Sequence, residues 1–502
     1  MSLPRLTAAT LPALPAAVAR PAHDRQALAP GIVHLGLGAF ARAHLAVATE
    51  AAIAADPAQP DLRWGIVGVS LRQPDTRDAL APQDGLYTVA VRDADAAGRP
   101  RQALQVVGAL TRLLVAPEDP GAVLEALAHP QARIASLTVT EKGYLRHPAG
   151  GGLWREHPDT AHDLAHPQAP RSAVGFLVHG LALRRVRGLG PLTLLPLDNL
   201  PANGQTLRGL VLALAGAVDP ALERWIAAHC TFPNSMVDRI VPRTTEADRM
   251  RVEQALGAQD AWPVLAEPFF DWAVEDHFAA GRPAWDAGGA RFVADAAPWE
   301  QLKLRMVNGS HSAIAYLGAT AGWATVDKAV AQPALRRYLE ALLREEVAPT
   351  LPPLPGLDAG AYRERLLERF ANPALAHRTQ QIAMDGSQKL PQRLLGTVRD
   401  RLAAGAPIDR LALAVAAWLH YLRGADEAGQ AYPVDDPQAA ELGMLHRQAQ
   451  AAGDFTAQAA CFTRYGPVFG DLADQAALVA ALAGALQSLQ QRGVRGTLEA
   501  LH

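Results

Sequence analysis

The chain has 502 residues, of which 49% are hydrophobic and 19% charged. That composition excludes disorder along the whole chain and leaves material for roughly two or three domains. Lys and Arg number 47 against 50 Asp and Glu, a formal net charge of −3, so no excess of cations exists to neutralise phosphates and nucleic acid is excluded as the main partner. The two cysteines, Cys230 and Cys461, build neither a disulfide framework nor a cysteine zinc site, and no HExxH spacing occurs among the 16 histidines, so no metal is expected.

In chain order, the N-terminal stretch carries Arg5 but is interrupted by Pro4, Pro12 and Pro15. It reads as a loose tail rather than a signal peptide, and the chain is expected in the cytoplasm. Ile32 to Leu35 is a strand-like run that meets Gly36-Leu37-Gly38 and an Ala-rich helix over Ala39 to Ala55. Further strands are expected at Trp64 to Val69, Leu86 to Val91, Arg133 to Thr140 and Leu192 to Asp198, with helices at Pro120 to Leu127 and Ser172 to Arg187. Strands alternating with helices predict an α/β, doubly wound parallel sheet. From Pro298 onward the pattern is helical: Trp299 to Leu317, Pro333 to Val347, Ala361 to Phe370, Gln388 to Ala404, Ile408 to Arg423 and Gln475 to Arg492. Two domains are therefore expected, 1–290 and 291–502. The charge-free stretch from Gln475 to Gln491 contains Gln and Ser and falls short of a membrane span, so no membrane partner is expected.

Gly36-x-Gly38-x-x-Ala41 between a strand and a helix has the form of a dinucleotide fingerprint. The first glycine permits the tight turn, the second lets the backbone approach a pyrophosphate, and a small third residue lets helix and strand pack closely. Arg42 in the first helical turn is positioned to add a cation, beside the positive end of the helix. After the second strand, Asp75 would suit the ribose of NAD, whereas Arg72 would suit the 2′-phosphate of NADP. Both stay open on these residues. Thr140-Glu141-Lys142-Gly143-Tyr144 and Asp198-Asn199 follow strands at the carboxyl edge where doubly wound sheets bind ligands.

The helix opened by Pro298 and Trp299 carries Lys303, Asn308 and His311. At α-helical spacing Asn308 lies about 140° and His311 about 80° from Lys303, on one polar arc. Leu302, Met306, Ala313 and Leu317 fall on the other side, facing a core. Gly309 is expected to interrupt the helix at roughly 1 kcal/mol, where something approaches closely. A lysine can move a hydroxyl proton and amide N–H groups can stabilise an oxyanion, which is alcohol–ketone chemistry. An ordinary solvated helix face would show the same spacing.

At these residues the chain resembles the mannitol dehydrogenase family, the long-chain polyol-specific dehydrogenases and reductases. The matching stretches are His34 to Phe40, Ser136 to Tyr144, Asp198 to Gly204, Phe232 to Arg239, Glu267 to Phe269, Val274 to Asp276 and Lys303 to His311. The resemblance implies a Rossmann-type N-terminal domain, a mostly α-helical C-terminal domain, NAD (NADH) as cofactor and no metal. It implies Lys303 as general base, Asn199 and Asn308 as oxyanion-stabilising amides and His311 as the active-site histidine. Cofactor contacts are expected from Gly36, Gly38, Phe40, Ala41, Arg42, Thr140 and Glu141. Asp238 and Lys389 match positions near the substrate. The family usually carries His where this chain has Ala41, although alanine still fits the fingerprint's third position. Ala279 to Trp285 and His377 to Arg393 look most like the hexuronate branch, which interconverts D-mannonate and D-fructuronate, while members that oxidise mannitol or arabinitol share much of this pattern. A sugar acid or polyol is thus the expected small-molecule partner, and Lys389 and Arg378 are the cations expected to meet a carboxylate. The retained Lys303, Asn199, Asn308 and His311 favour an enzyme over a nucleotide-binding sensor that has lost catalysis.

Overall fold

A computed structural model describes residues 3–95, 99–147 and 151–501. It forms two compact units, Met1–Asp93 with Arg101–Ala297, and Ala94–Pro100 with Pro298–His502.

The first unit is built on five parallel strands in the order Leu110–Val115, Ile66–Ser70, Ile32–Leu35, Ile134–Leu137, Thr193–Pro196. Successive side chains leave opposite faces of a strand, and here both faces are covered. Val33, Leu35, Val67, Leu137 and Leu194 share one core with the helices Pro120–Leu127, Ala173–Val186 and Asn203–Val218. Ile32, Ile66, Ile134 and Leu195 share another with Trp64, Trp272 and Trp285. Burial on both faces explains why these strands read as short apolar runs rather than alternating ones. The imidazole of His34 is enclosed within the sheet beside Ser136 Oγ at 2.9 Å, and burial holds it down at about 4. Strand order reverses where Ile32–Leu35 meets Ile134–Leu137, the place where such sheets bind ligands.

Four expectations change. The strand expected at Leu86 to Val91 spans Tyr87–Ala94 and joins Pro100–Val107 and Val264–Ala266 in a separate sheet. Its Thr88 N–H donates to the buried carboxylate of Asp260, a partner that strand propensity does not reveal. The helix expected over Ala39 to Ala55 is two helices, Ala39–Ala43 and Leu45–Ile53, broken at His44, whose ring stacks between Phe40 and Phe270. The N-terminal stretch is packed rather than loose. Leu6, Leu14 and Val18 are buried with Leu86, Leu104, Val252 and Leu256, because prolines stop regular structure without stopping apolar burial. Finally, the chain stays helical through Gly309, at φ −62° and ψ −48°.

Glu50 is buried on Leu45–Ile53, where its Oε2 accepts from Gly108 N–H at 2.8 Å and its Oε1 lies 3.4 Å from His23 Nδ1. Burial raises its carboxyl from 4.5 to about 7. The folded value exceeds the unfolded one, so this group's stabilisation is complete below the unfolded value and is lost as pH rises through the folded one. Glu50→Gln keeps the acceptor without the charge. The variant should be more stable than the parent at pH 8, by on the order of 1–3 kcal/mol, and the gain should vanish toward pH 4.5. Denaturant midpoints at the two pH values check this. His23, itself pushed down by burial, titrates in the opposite sense, so the difference between variant and parent is the quantity to read.

The second unit is helical. Gly309–Thr320 packs on Asp409–Tyr421, which packs on Ala476–Glu499. The last helix runs beyond Arg492 through a kink at Gly493, φ 67°, where a Cβ would lie 2.8 Å from Glu427 Oε1. Among the described residues no helix is long and apolar enough to cross a membrane. Among the described residues three π-helical turns occur, Lys303–Asn308, Leu342–Val347 and Pro391–Leu395. Such turns recur at functional sites.

Candidate active site

In the first unit a cavity of about 1220 Å³ opens at the switch point. Gly36, Leu37 and Gly38 form one wall, Ser70 to Gln73 a second, and Thr138 to Thr140 with Lys142 and Gly143 a third. Gly36 has φ +94°, and a Cβ there would lie 2.3 Å from the Thr138 carbonyl oxygen. Only glycine accommodates both the conformation and the contact. Nothing but the Gly36 oxygen, at 3.9 Å, would meet a Cβ on Gly38, so that backbone is open to a close ligand. Thr138 Oγ1 is buried without a hydrogen-bond partner among the described atoms. An orphaned hydroxyl beside an open glycine turn fits a nucleotide's polar groups. His157, Asp159, His162 and Pro170 to Ala173 also line the cavity and escaped the sequence reading. Their signal is Ser172, which caps Gly175 N–H at the start of the helix Ala173–Val186.

Several expected cofactor residues stand elsewhere. Arg42 is a correction: its guanidinium is buried, donates to the Trp262 carbonyl at 2.7 Å and lies over the Tyr87 ring, so its charge is not presented to the cavity. Burial lowers its pKa to about 10. Ala41 is buried where helix and sheet pack. Phe40 stacks on His44, Glu141 is exposed, and neither lines the cavity. At the end of the second strand Arg72 lines it, whereas Asp75 begins the helix Asp75–Leu80 outside it.

Asn199 sits in a braced turn after the strand Thr193–Pro196. The buried Tyr144 hydroxyl donates to Asp198 Oδ2, and Asp198 Oδ1 accepts from Leu200 N–H at 3.0 Å. Burial raises the Asp198 carboxyl. Asn203 Nδ2 donates to the carbonyls of Asp198 and Ser235, and Ser235 N–H donates back to Asn203 Oδ1. Asp238 ends the strand Ser235–Asp238, opposite Asp271.

In the second unit Lys303 opens the π turn and Asn308 closes it. A π turn hydrogen-bonds across five residues rather than four, so it takes up much of the 140° that an α-helix would put between them. Asn308 and His311, three apart, then neighbour each other in ordinary α geometry. Lys303, Asn308 and His311 are partly exposed, while Leu302, Met306, Ala313 and Leu317 are buried. His311 packs on Phe370, centroids 4.6 Å apart, and lies 6.0 Å from the ring of His377. Burial, Arg369 and Lys389 all push His377 toward its neutral form. Gly309 does mark a close approach: a Cβ there would lie 3.0 Å from the Arg393 carbonyl oxygen. Lys389 Nζ donates to the Met384 carbonyl at 2.6 Å and lies 3.7 Å from Asp385 Oδ2. Arg378 is exposed, just before the helix Thr379–Ala383. Among the described residues no group of three or more His, Cys, Asp or Glu could hold a metal ion.

Comparison with known proteins bears on the chain as a whole. The family model for the mannitol dehydrogenase Rossmann domain matches residues 30–287, and that for the mannitol dehydrogenase C-terminal domain matches residues 295–490. The chain is 45% identical to the D-mannonate oxidoreductase of Escherichia coli (strain K12), covering 96% of this chain and 98% of that one. It is 39% identical to the mannitol 2-dehydrogenase of Phaeosphaeria nodorum, over 95% and 82%. A solved structure of the Pseudomonas fluorescens mannitol 2-dehydrogenase in ternary complex with NAD and D-mannitol is similar, with TM-score 0.82, 37% identity and 99% of each chain covered. With both halves matched and the Escherichia coli relative aligned nearly end to end, the chain belongs to the mannitol dehydrogenase family.

Proposed function

We propose that this protein is an NAD-dependent oxidoreductase that interconverts D-mannonate and D-fructuronate. NAD, when bound at the Gly36–Gly38 turn, supplies the hydride acceptor. Lys303 takes the proton from the hydroxyl of the reacting carbon, and returns it in the reverse direction. Asn308 donates its amide N–H to that oxygen as negative charge grows on it, and the family resemblance assigns Asn199 a second such contact. His311, held against Phe370, orients the substrate hydroxyls. A free lysine titrates near about 10.4, so its use as a base near neutrality calls for burial or neighbouring positive charge.

The observation that supports the choice of a sugar acid is a pair of cations, Arg369 and Lys389, whose charge bears on His377, a ring 6.0 Å from that of His311. A polyol presents no charge to such a pair, whereas a hexuronate presents a carboxylate. The 45% identity to a D-mannonate oxidoreductase supports the same reading. A charged hydrogen-bonded partner contributes roughly 1.5–3 kcal/mol, about ten- to a hundredfold or more in efficiency. Following NADH absorbance, kcat/KM for D-mannonate should exceed that for D-mannitol by at least this factor. Equal or better efficiency on D-mannitol or D-arabinitol would instead make the protein a mannitol 2-dehydrogenase or D-arabinitol dehydrogenase.

A further inference from the structure

Arg393 lies in the π turn Pro391–Leu395, and the sequence reading gave it no role. Its backbone carbonyl abuts Gly309, and its Nη1 lies 3.4 Å from Oγ of Ser312, the residue after His311. The guanidinium is thereby placed beside the segment that carries Asn308 and His311. It is partly buried, and burial lowers its pKa. No carboxylate of the described residues lies within ion-pair distance of it, and Ser312 Oγ is the one hydrogen-bond partner seen for its five N–H groups. A partly desolvated cation with no carboxylate within ion-pair distance is costly, and a guanidinium fork matches a carboxylate in two parallel hydrogen bonds.

Lys389, the more obvious candidate, is already engaged. An ammonium has three donors. Here Nζ faces the Met384 carbonyl at 2.6 Å, the Ile382 carbonyl at 3.5 Å and Asp385 Oδ2 at 3.7 Å. Asp385, the carboxylate whose charge also reaches Arg393, is thus the partner of Lys389.

We propose that Arg393 binds the substrate's carboxylate. The proposal rests on the hexuronate reading and assigns the residue that enforces it.

The test compares kcat/KM for D-mannonate and D-mannitol, with NAD, in the parent enzyme, Arg393→Gln and Arg393→Lys. Arg393→Gln should lower the efficiency on D-mannonate about ten- to a hundredfold, chiefly through KM, with a much smaller change on D-mannitol. Arg393→Lys should recover only part of the loss, because a point charge replaces the fork. NADH binding and the melting temperature report whether each variant is folded. If Arg393→Gln does not fold, Arg393→Lys carries the test by a D-mannonate-specific rise in KM. An equal fall on both substrates in a folded variant, or no change on D-mannonate, overturns the role of Arg393 and leaves the hexuronate reading intact. A parent enzyme that prefers D-mannitol overturns both, so the two failures are read from different proteins.

Discussion

Lys303→Ala should lower turnover by about 10²–10⁴-fold in both directions, the usual worth of a positioned acid–base group. NADH binding should stay nearly intact, because the glycine-turn cavity is lined wholly by residues of the first unit while Lys303 belongs to the second. An unchanged cofactor Kd beside a collapsed kcat identifies a residue that acts on the reacting atoms, whereas a misfolded variant would lose both. The measurements are fluorescence titration with NADH and the rate of its formation or consumption. Near-normal turnover would remove Lys303 from the role.

Asn308→Ala is the second large effect, about 10²–10³-fold in kcat, or roughly 2–4 kcal/mol for one lost oxyanion donor. The loss should fall on kcat more than on KM, because the amide's hydrogen bond strengthens as charge develops on the oxygen. Asn308→Asp is the sharper variant: it keeps the size and replaces a donor by a negative charge, so it should be at least as slow as the alanine. Activity above that of Asn308→Ala would show that the amide does not stabilise an oxyanion. Asn199→Ala should behave in the same way. Its turn is held by Tyr144, Asn203 and Ser235 through other groups, so removing the Asn199 amide leaves that bracing in place.

Local sequence carried the glycine turn of the first site and little else of its lining. The Gly36–Gly38 turn was legible because a strand ending in glycines before a small-residue helix has few other solutions, and the structure places that turn on the cavity wall. The polar arc of Lys303, Asn308 and His311 was legible because Leu302, Met306, Ala313 and Leu317 mark the opposite face. The π turn beneath it was not, since hydrogen bonding across five residues leaves no pattern in residue type. It brings Lys303 and Asn308 onto the same stripe more closely than α spacing allows.

What the sequence by itself determined is therefore what depends on neighbours along the chain: the α/β half, the helical half, the glycine turn and the amphipathic helix that carries Lys303. What only the tertiary structure decided depends on partners far away in sequence. Arg42 stands in a helical turn suited to a phosphate, yet its guanidinium is claimed by the Trp262 carbonyl, 220 residues on. Leu6, Leu14 and Val18 sit among prolines, yet Val252 and Leu256 bury them. Lys389 and Arg393 are both cations in one short run, and only the carbonyls and the carboxylate that surround Lys389 separate them. A side chain's charge is written in the sequence, but whether that charge is spent inside the protein or left for a ligand is settled by desolvation and by the acceptors that folding brings within reach.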